Sequence, residues 1–238
     1  MITAAGACQN RSSSFPSGIT LEEQLLSGPP NSDTGAFQPK NAAQEEVLSR
    51  HKDLRGRVWE RTVDTVEGLP AVSSSGSGRS LTAVLRTSEE NPPRQVVDVR
   101  DDDQVIFTTD AGLPSPALPV QGLWSYEDHW ALEILLADQE IWKGKLYLDG
   151  ELLNQSRNYQ EAFGFQLLNG KPFYFYQKGN QLGFSYTGQE TDLPYDQIEH
   201  YNCCSASTLN PIQAEELAAF FARKGEDWFY VELGRLTN

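Results

Sequence analysis

The chain has 238 residues, 39% of them hydrophobic, with 5 Trp, 9 Tyr and 11 Phe, enough to fill a substantial core in one large all-β domain or one domain with an irregular tail. A formal charge of −14 and 19 basic against 33 acidic residues, nowhere clustered, exclude a phosphate-backbone partner and disfavour an anionic membrane surface. No stretch approaches the roughly 20 apolar residues that span a bilayer as a helix.

The first residues to carry information are "AAGAC", ending at Cys8, followed by the polar run "QNRSSSFPSG". Small residues leading to a cysteine and then a polar spacer resemble the end of a bacterial lipoprotein signal, although Ala5 stands where that signal carries Leu. The resemblance implies lipidation at Cys8 and an extracytoplasmic location, periplasmic or at the cell surface. The alternative is an N-terminus with an incidental cysteine. Residues 1–55 are rich in Ser, Pro, Asn and Gly and read as a disordered tether with short helices at "TLEEQLL", which Thr20 could cap, and at "AAQEEVLSRH".

From residue 56 to 238 the pattern changes to short runs of alternating apolar residues separated by Gly, Pro, Asn and Asp, the period-2 signature of half-buried strands. "RVWERTVDTV" begins this domain, and the loop "SSSGSG" at 73–78 interrupts it. Two later segments align without a gap: "FYFYQKGNQLGFSYTG" (173–188) and "AFFARKGEDWFYVELG" (219–234). Each is an aromatic strand, a Lys-Gly turn, a second aromatic strand and a terminal glycine, which is a β-hairpin. Looser copies end at Gly150 and Gly112, so the terminal glycines fall at 112, 150, 188 and 234, spaced by 38, 38 and 46 residues. The long interval contains the insertion "STLNPIQAEE".

Regular spacing of about 40 residues with several strands per unit is how propeller blades read. The turns "WSYED" and "LLNG" and these hairpins resemble the degenerate WD-like β-propeller repeats of exported bacterial proteins, over residues 119–234 and more weakly over 58–112. The fold expected is therefore all-β, a propeller-like array of about four blade units, with "RVWERTVDTV" supplying the last unit's missing strand. A twisted β-sandwich of hairpin repeats is the alternative. The resemblance implies a fold and no activity.

No phosphate-binding loop, Gly-x-Ser-x-Gly elbow, His-Glu-x-x-His or EF-hand pattern is present. The run Asp101, Asp102 and Asp103 reads as a solvated hairpin turn, because three successive side chains do not converge easily on one cation. Glu133 and Glu232 each follow a strand Trp and read as outward-facing, and no metal or cofactor is expected. Among the aromatics, Trp124, Tyr126 and Trp130 flank a turn and are the better candidates for stacking on a ligand.

"HYNCCSAS" (200–207) gathers His200, Tyr201, Cys203 and Cys204. Adjacent cysteines lack the two-to-four-residue spacing of zinc ligands. With consecutive Cα atoms about 3.8 Å apart, a disulfide between them is strained and needs a turn. Two buried thiols remain the alternative, as does a Cys-His nucleophile pair, for which no third orienting group is identifiable. In the hairpin alignment the turn bearing His129 and the segment bearing His200 occupy equivalent positions. Trp124, Tyr126, His129, Trp130, His200, Tyr201, Cys203 and Cys204 are therefore expected to border one functional face. The sequence predicts a non-enzymatic binding or interaction module with an unknown protein or carbohydrate ligand. The other expectations are a hydrolase of sugar or peptide using a carboxylate pair, and a purely structural domain.

Overall fold

The computed structural model describes residues 15–29, 64–115, 118–138, 141–201, 211–213 and 215–234. In chain order β1 (Thr20–Leu25) is followed by β2 (Asp64–Val66), β3 (Leu69–Ser73), β4 (Ser75–Gly76), β5 (Leu81–Thr87), β6 (Gln95–Asp101) and β7 (Gln104–Gly112). Next come β8 (Val120–Tyr126), β9 (His129–Asp138), β10 (Ile141–Leu148), β11 (Glu151–Leu152) and α1 (Leu153–Ser156). Then follow β12 (Glu161–Leu168), β13 (Lys171–Lys178), β14 (Gln181–Tyr186) and β15 (Gln189–Asp192). The chain ends with β16 (Gln197–Ile198), β17 (Ile212–Gln213), β18 (Leu217–Lys224) and β19 (Asp227–Gly234).

These strands make four sheets, so the protein is all-β with one short helix among the described residues. The first sheet runs β2-β3-β5-β6-β7, the second β11-β10-β9-β8-β4 and the third β12-β13-β14-β15. The fourth runs β1-β19-β18-β16, with β17 also pairing β18. Among the described residues none of the sheets closes on itself.

The sheets pack in chain order because their central strands are apolar on both faces. Leu81, Ala83, Val97 and Val99 of the first sheet meet Leu123, Trp130, Leu132 and Ile134 of the second. Ala131 and Leu146 of the second meet Ala162, Phe165, Tyr174 and Tyr176 of the third. Phe163, Phe173, Phe175 and Phe184 of the third meet Ala218, Phe220, Ala222, Val231 and Leu233 of the fourth. Consecutive aromatics such as "FYFY" thus fill two different interfaces, as alternation on a strand requires.

Two expectations about the N-terminal half are corrected. "TLEEQLL" is not helical: Thr20–Leu25 is β1, paired antiparallel with β19 from Thr20↔Gly234 to Leu25↔Phe229. A helix of so few residues is unstable alone, whereas the open edge of β19 offers it a full ladder. Thr20 Oγ1 donates to the Gly234 carbonyl (3.1 Å) instead of capping a helix. The strand that completes the fourth sheet is therefore β1, and Asp64–Val66 of "RVWERTVDTV" pairs with β3 in the first sheet. The expected helix at "AAQEEVLSRH" lies outside the described residues.

Polar contacts fix particular strands. Tyr195 donates its hydroxyl to Glu23 Oε2 (2.5 Å) and so ties β1 to the segment before β16. Burial, and then the neighbouring carboxylate, push this phenol above its ordinary pKa. In the first sheet the buried Asp98 accepts from Arg86 Nε (2.7 Å) and Thr108 Oγ1 (2.8 Å). Burial opposes its charge, but the bonds from Arg86 and Thr108 outweigh it and hold the carboxyl below the usual range.

Tyr195→Phe is expected to lower unfolding stability by about 1 kcal/mol, because the partner Glu23 is exposed, as measured by urea denaturation. A depressed carboxyl pKa contributes stability above the unfolded value, lost as pH falls through the folded one. Asp98→Asn should therefore cost about 1–2 kcal/mol at pH 7, discounted because Arg86 is well exposed. The gap from wild type should narrow in acid-titrated melts.

Candidate functional site

In "WALEILL" (130–136) apolar residues occupy both faces of β9, so Glu133 has no outward face to occupy. It is 3% exposed and points at the third sheet. A buried carboxylate needs donors, and β12 supplies them through a bulge between Phe163 and Gln166. Gly164 adopts φ +64°, the left-handed region that a side chain disfavours. The bulge turns two backbone amides off the ladder. Gly164 N donates to Glu133 Oε1 (3.1 Å) and Phe165 N to Oε2 (2.7 Å).

The Tyr201 hydroxyl also donates to Glu133 Oε1. Tyr201 has φ +59°, an unfavourable conformation for a bulky residue that its surroundings must impose. Room for the phenol comes from Gly144 of β10: a Cβ there would lie 2.7 Å from the Tyr201 hydroxyl and 3.1 Å from Phe163 Cβ. One carboxylate thus joins the second sheet, the third sheet and the segment leaving β16.

Beside this joint lies a groove of about 500 Å³ between the third and fourth sheets, lined by Glu161, Phe163, Gln177, Leu182, Asp196, Gln197, Ile198, Glu199 and His200. Gly144 N donates to Glu161 Oε1 (2.8 Å), and His200 Nε2 lies 3.1 Å from the same oxygen. His200 Nδ1 sits 2.6 Å from the Ile198 carbonyl, and the imidazole stacks on Phe163 with centroids 3.5 Å apart and planes 6° apart. The imidazole is 13% exposed, so it forms a fixed wall.

The expected functional residues fall into two groups. His129 begins β9 opposite Tyr126, with Nδ1 2.6 Å from Asp149 Oδ2, at the end carrying the β8–β9 turn. Lys171, which begins β13, reaches Glu127 in that turn (2.9 Å), so the β8–β9 and β12–β13 turns share this end. His200 instead lies against Glu161, which pairs with Gln177 near the β13–β14 turn. The expectation of a common face is therefore corrected: His129 and His200 occupy opposite ends of the sheets. The physical reason is that His200 follows the short β16, whose partners Ala222 and Arg223 approach the far end of β18.

Of the turn aromatics, Trp130 is buried against Phe107 (5.4 Å between centroids). Tyr126 is buried between His129 and Phe165, and burial, followed by the charges of Asp149 and Glu127, raises its phenol to about 12. Trp124 is half-buried and tilted over Phe165 (4.9 Å). Tyr126 and Trp130 are packing residues and offer no stacking face. Cys8, Cys203 and Cys204 lie outside the described residues. Glu133 and Glu232 are both buried, correcting their outward reading; Glu232 accepts from Tyr230 Oη (2.7 Å).

Neither a protein-family model nor a curated protein sequence matches the chain.

Glu161, Gln177 and Asp196 were not singled out by sequence reasoning. The usable signal was Gly164 within "AFGFQ", since a glycine inside an aromatic strand marks a bulge or a close approach. Glu133→Ala would leave two buried amides without an acceptor and is expected to cost about 3 kcal/mol or more. Gly144→Ala forces a methyl against the Ala162 carbonyl and into the Tyr201 contact, at about 1–3 kcal/mol. Thermal melts of both variants check this, and unchanged midpoints would refute the joint.

Proposed function

We propose that this chain is a non-enzymatic binding module whose ligand enters the groove between the third and fourth sheets. The observation that carries this reading is the state of the carboxylates. Glu133 and Glu161 both accept backbone amides, and each holds a further aromatic or imidazole partner. Groups so fixed suit recognition, whereas a hydrolase needs one carboxyl poised to deliver a proton and another to activate water. The groove has the volume of a ligand site and mixes apolar walls with a few convergent polar groups.

The frame is a propeller-like array of four units. Support comes from four sheets stacked in chain order, each largely a meander, with β1 completing the last one from the other end of the chain. The family remains that of degenerate WD-like repeats in exported bacterial proteins, on the strength of the aligned hairpins. The small-residue run before Cys8 supports an extracytoplasmic, lipid-anchored location, and a disulfide between Cys203 and Cys204 fits that compartment.

A screen of peptides and glycans against the full chain should return a saturable ligand that is not turned over. Gln177→Trp, which fills the groove, should weaken it at least tenfold, while Trp124→Ala leaves it unchanged. Loss with Trp124→Ala and retention with Gln177→Trp would move the site to the β8–β9 turn.

A further inference from the structure

We infer that the groove recognises a lysine- or arginine-bearing peptide segment, extended so that a cationic side chain enters the groove and the chain continues over Trp142. The inference rests on the groove reading above and names its ligand class.

Charge comes first. Glu161, Asp196 and Glu199 line the groove, and among the described residues no lysine or arginine does. Of the basic residues adjoining its lining in sequence and register, Lys178 is engaged elsewhere, with Glu190 (3.4 Å) and over the Tyr159 ring (5.7 Å). Arg223 pairs with the lining Gln197, and Lys224 precedes the Gly225 amide that donates to Asp196 (2.6 Å), so both stand near the rim although neither belongs to the lining. His200 is the one basic group in the wall, and it is committed to Glu161 and the Ile198 carbonyl. Three carboxylates against one imidazole leave the lining with an excess of acidic over basic groups, in a protein already at −14, and this excess attracts a cation.

Shape comes second. Phe163, Leu182 and Ile198 form the floor of the groove and are only 1–2% exposed, so the apolar surface along which the methylene stem of a lysine or arginine can lie is the aliphatic part of the half-buried Gln177, Gln197 and Glu199, while its head reaches the carboxylates. Free ammonium or a small metal ion would leave that apolar surface unused.

The third observation is Trp142. It is one of four large hydrophobic residues exposed among those described, at 39%. It precedes Gly144 by two positions on β10, so both project from the same face. Gly144 is the residue whose amide binds Glu161 and whose missing side chain faces Ala162, Phe163 and Tyr201. The indole therefore stands on the groove's side of the second sheet and at the same end, yet outside the lining. A ligand that uses both must be longer than one side chain, and an extended peptide satisfies that length. A second basic residue over an indole gains cation–π attraction.

The test titrates the full chain, by fluorescence anisotropy, with a labelled peptide of alternating lysine and glycine, its lysine-acetylated counterpart and a glutamate version of equal length. The expected result is saturable one-to-one binding of the lysine peptide alone. Asp196→Asn, Glu161→Gln and Trp142→Ala should each weaken it about tenfold, while Glu151→Gln, which removes one charge from the outer edge of the second sheet, leaves it unchanged. Circular dichroism melts report whether Glu161→Gln still folds; Asp196→Asn and Trp142→Ala carry the test if it does not. Equal weakening by Glu151→Gln would overturn the inference, because diffuse charge would then explain binding. Equal binding of the acetylated peptide, still blocked by Gln177→Trp, would overturn the cationic class and leave the groove as the site. Binding of none of the three peptides also overturns it.

Discussion

The arrangement of the central sheets depends on one buried carboxylate. Glu133 sits in a strand whose other residues are apolar on both faces, and a charge there is tolerated only if fully hydrogen-bonded. That demand explains features with no other common cause. β12 bulges so that two consecutive amides face Glu133, the bulge takes a glycine at positive φ, and Tyr201 accepts an unfavourable backbone to bring its hydroxyl in. Gly144 is small because a Cβ there would meet the Ala162 carbonyl of β12 at 2.4 Å and the Tyr201 hydroxyl at 2.7 Å. Glu133 fixes the register of the third sheet against the second and anchors the start of the excursion between β16 and β17. It thereby positions His200, and with it one wall of the groove.

Edges impose the second constraint. A stack of open sheets presents unpaired strand edges, which invite association with other chains. Part of this is met from distant sequence. β1 covers β19 through a six-residue register across more than 200 residues of chain. β4 adds a short parallel strand beside β8, pairing Ser75 with Trp124, and Ser75 Oγ donates to the Leu123 carbonyl (3.4 Å). The Ser-Gly loop is thus an edge strand as well as punctuation. Its small residues let it lie flat against β8.

The sheet class was legible because short apolar and aromatic runs bounded by turn residues recur from Leu69 onward, and the hairpins at 173–188 and 219–234 fall on β13–β14 and β18–β19. β1 was not legible. Its "LEEQLL" pattern suits a helix face and a strand equally, and what decides between them is an edge 210 residues away. Glu133 could have been placed correctly, since an acidic residue flanked by Leu132 and Ile134 inside an all-apolar run belongs to a doubly covered strand. The groove could not have been read. It forms where the short β16 leaves the fourth sheet, and a two-residue strand carries no periodicity to detect.

The two ends of the stack differ in how their charges are used, and this difference gives the groove its character. At the β8–β9 end carboxylates meet nitrogen partners: Asp149 meets His129 and accepts from the Trp130 amide, and Glu127 meets Lys171. Both members of the Glu127–Lys171 pair shift toward their charged forms, the carboxyl down and the ammonium up, through the hydrogen bond they share. The Glu127–Lys171 pair thus offsets its own charge, and it is this lysine partner that distinguishes the β8–β9 end. At the groove Glu161 has a backbone amide and an imidazole as partners and Asp196 accepts from the Gly225 amide, and no lysine or arginine among the described residues belongs to the lining. Backbone amides hold an anion in place without cancelling its field over distance, so three carboxylates against one imidazole leave negative potential where the sheets part. That asymmetry, more than the number of acidic residues in the chain, makes this end the one able to select a cation.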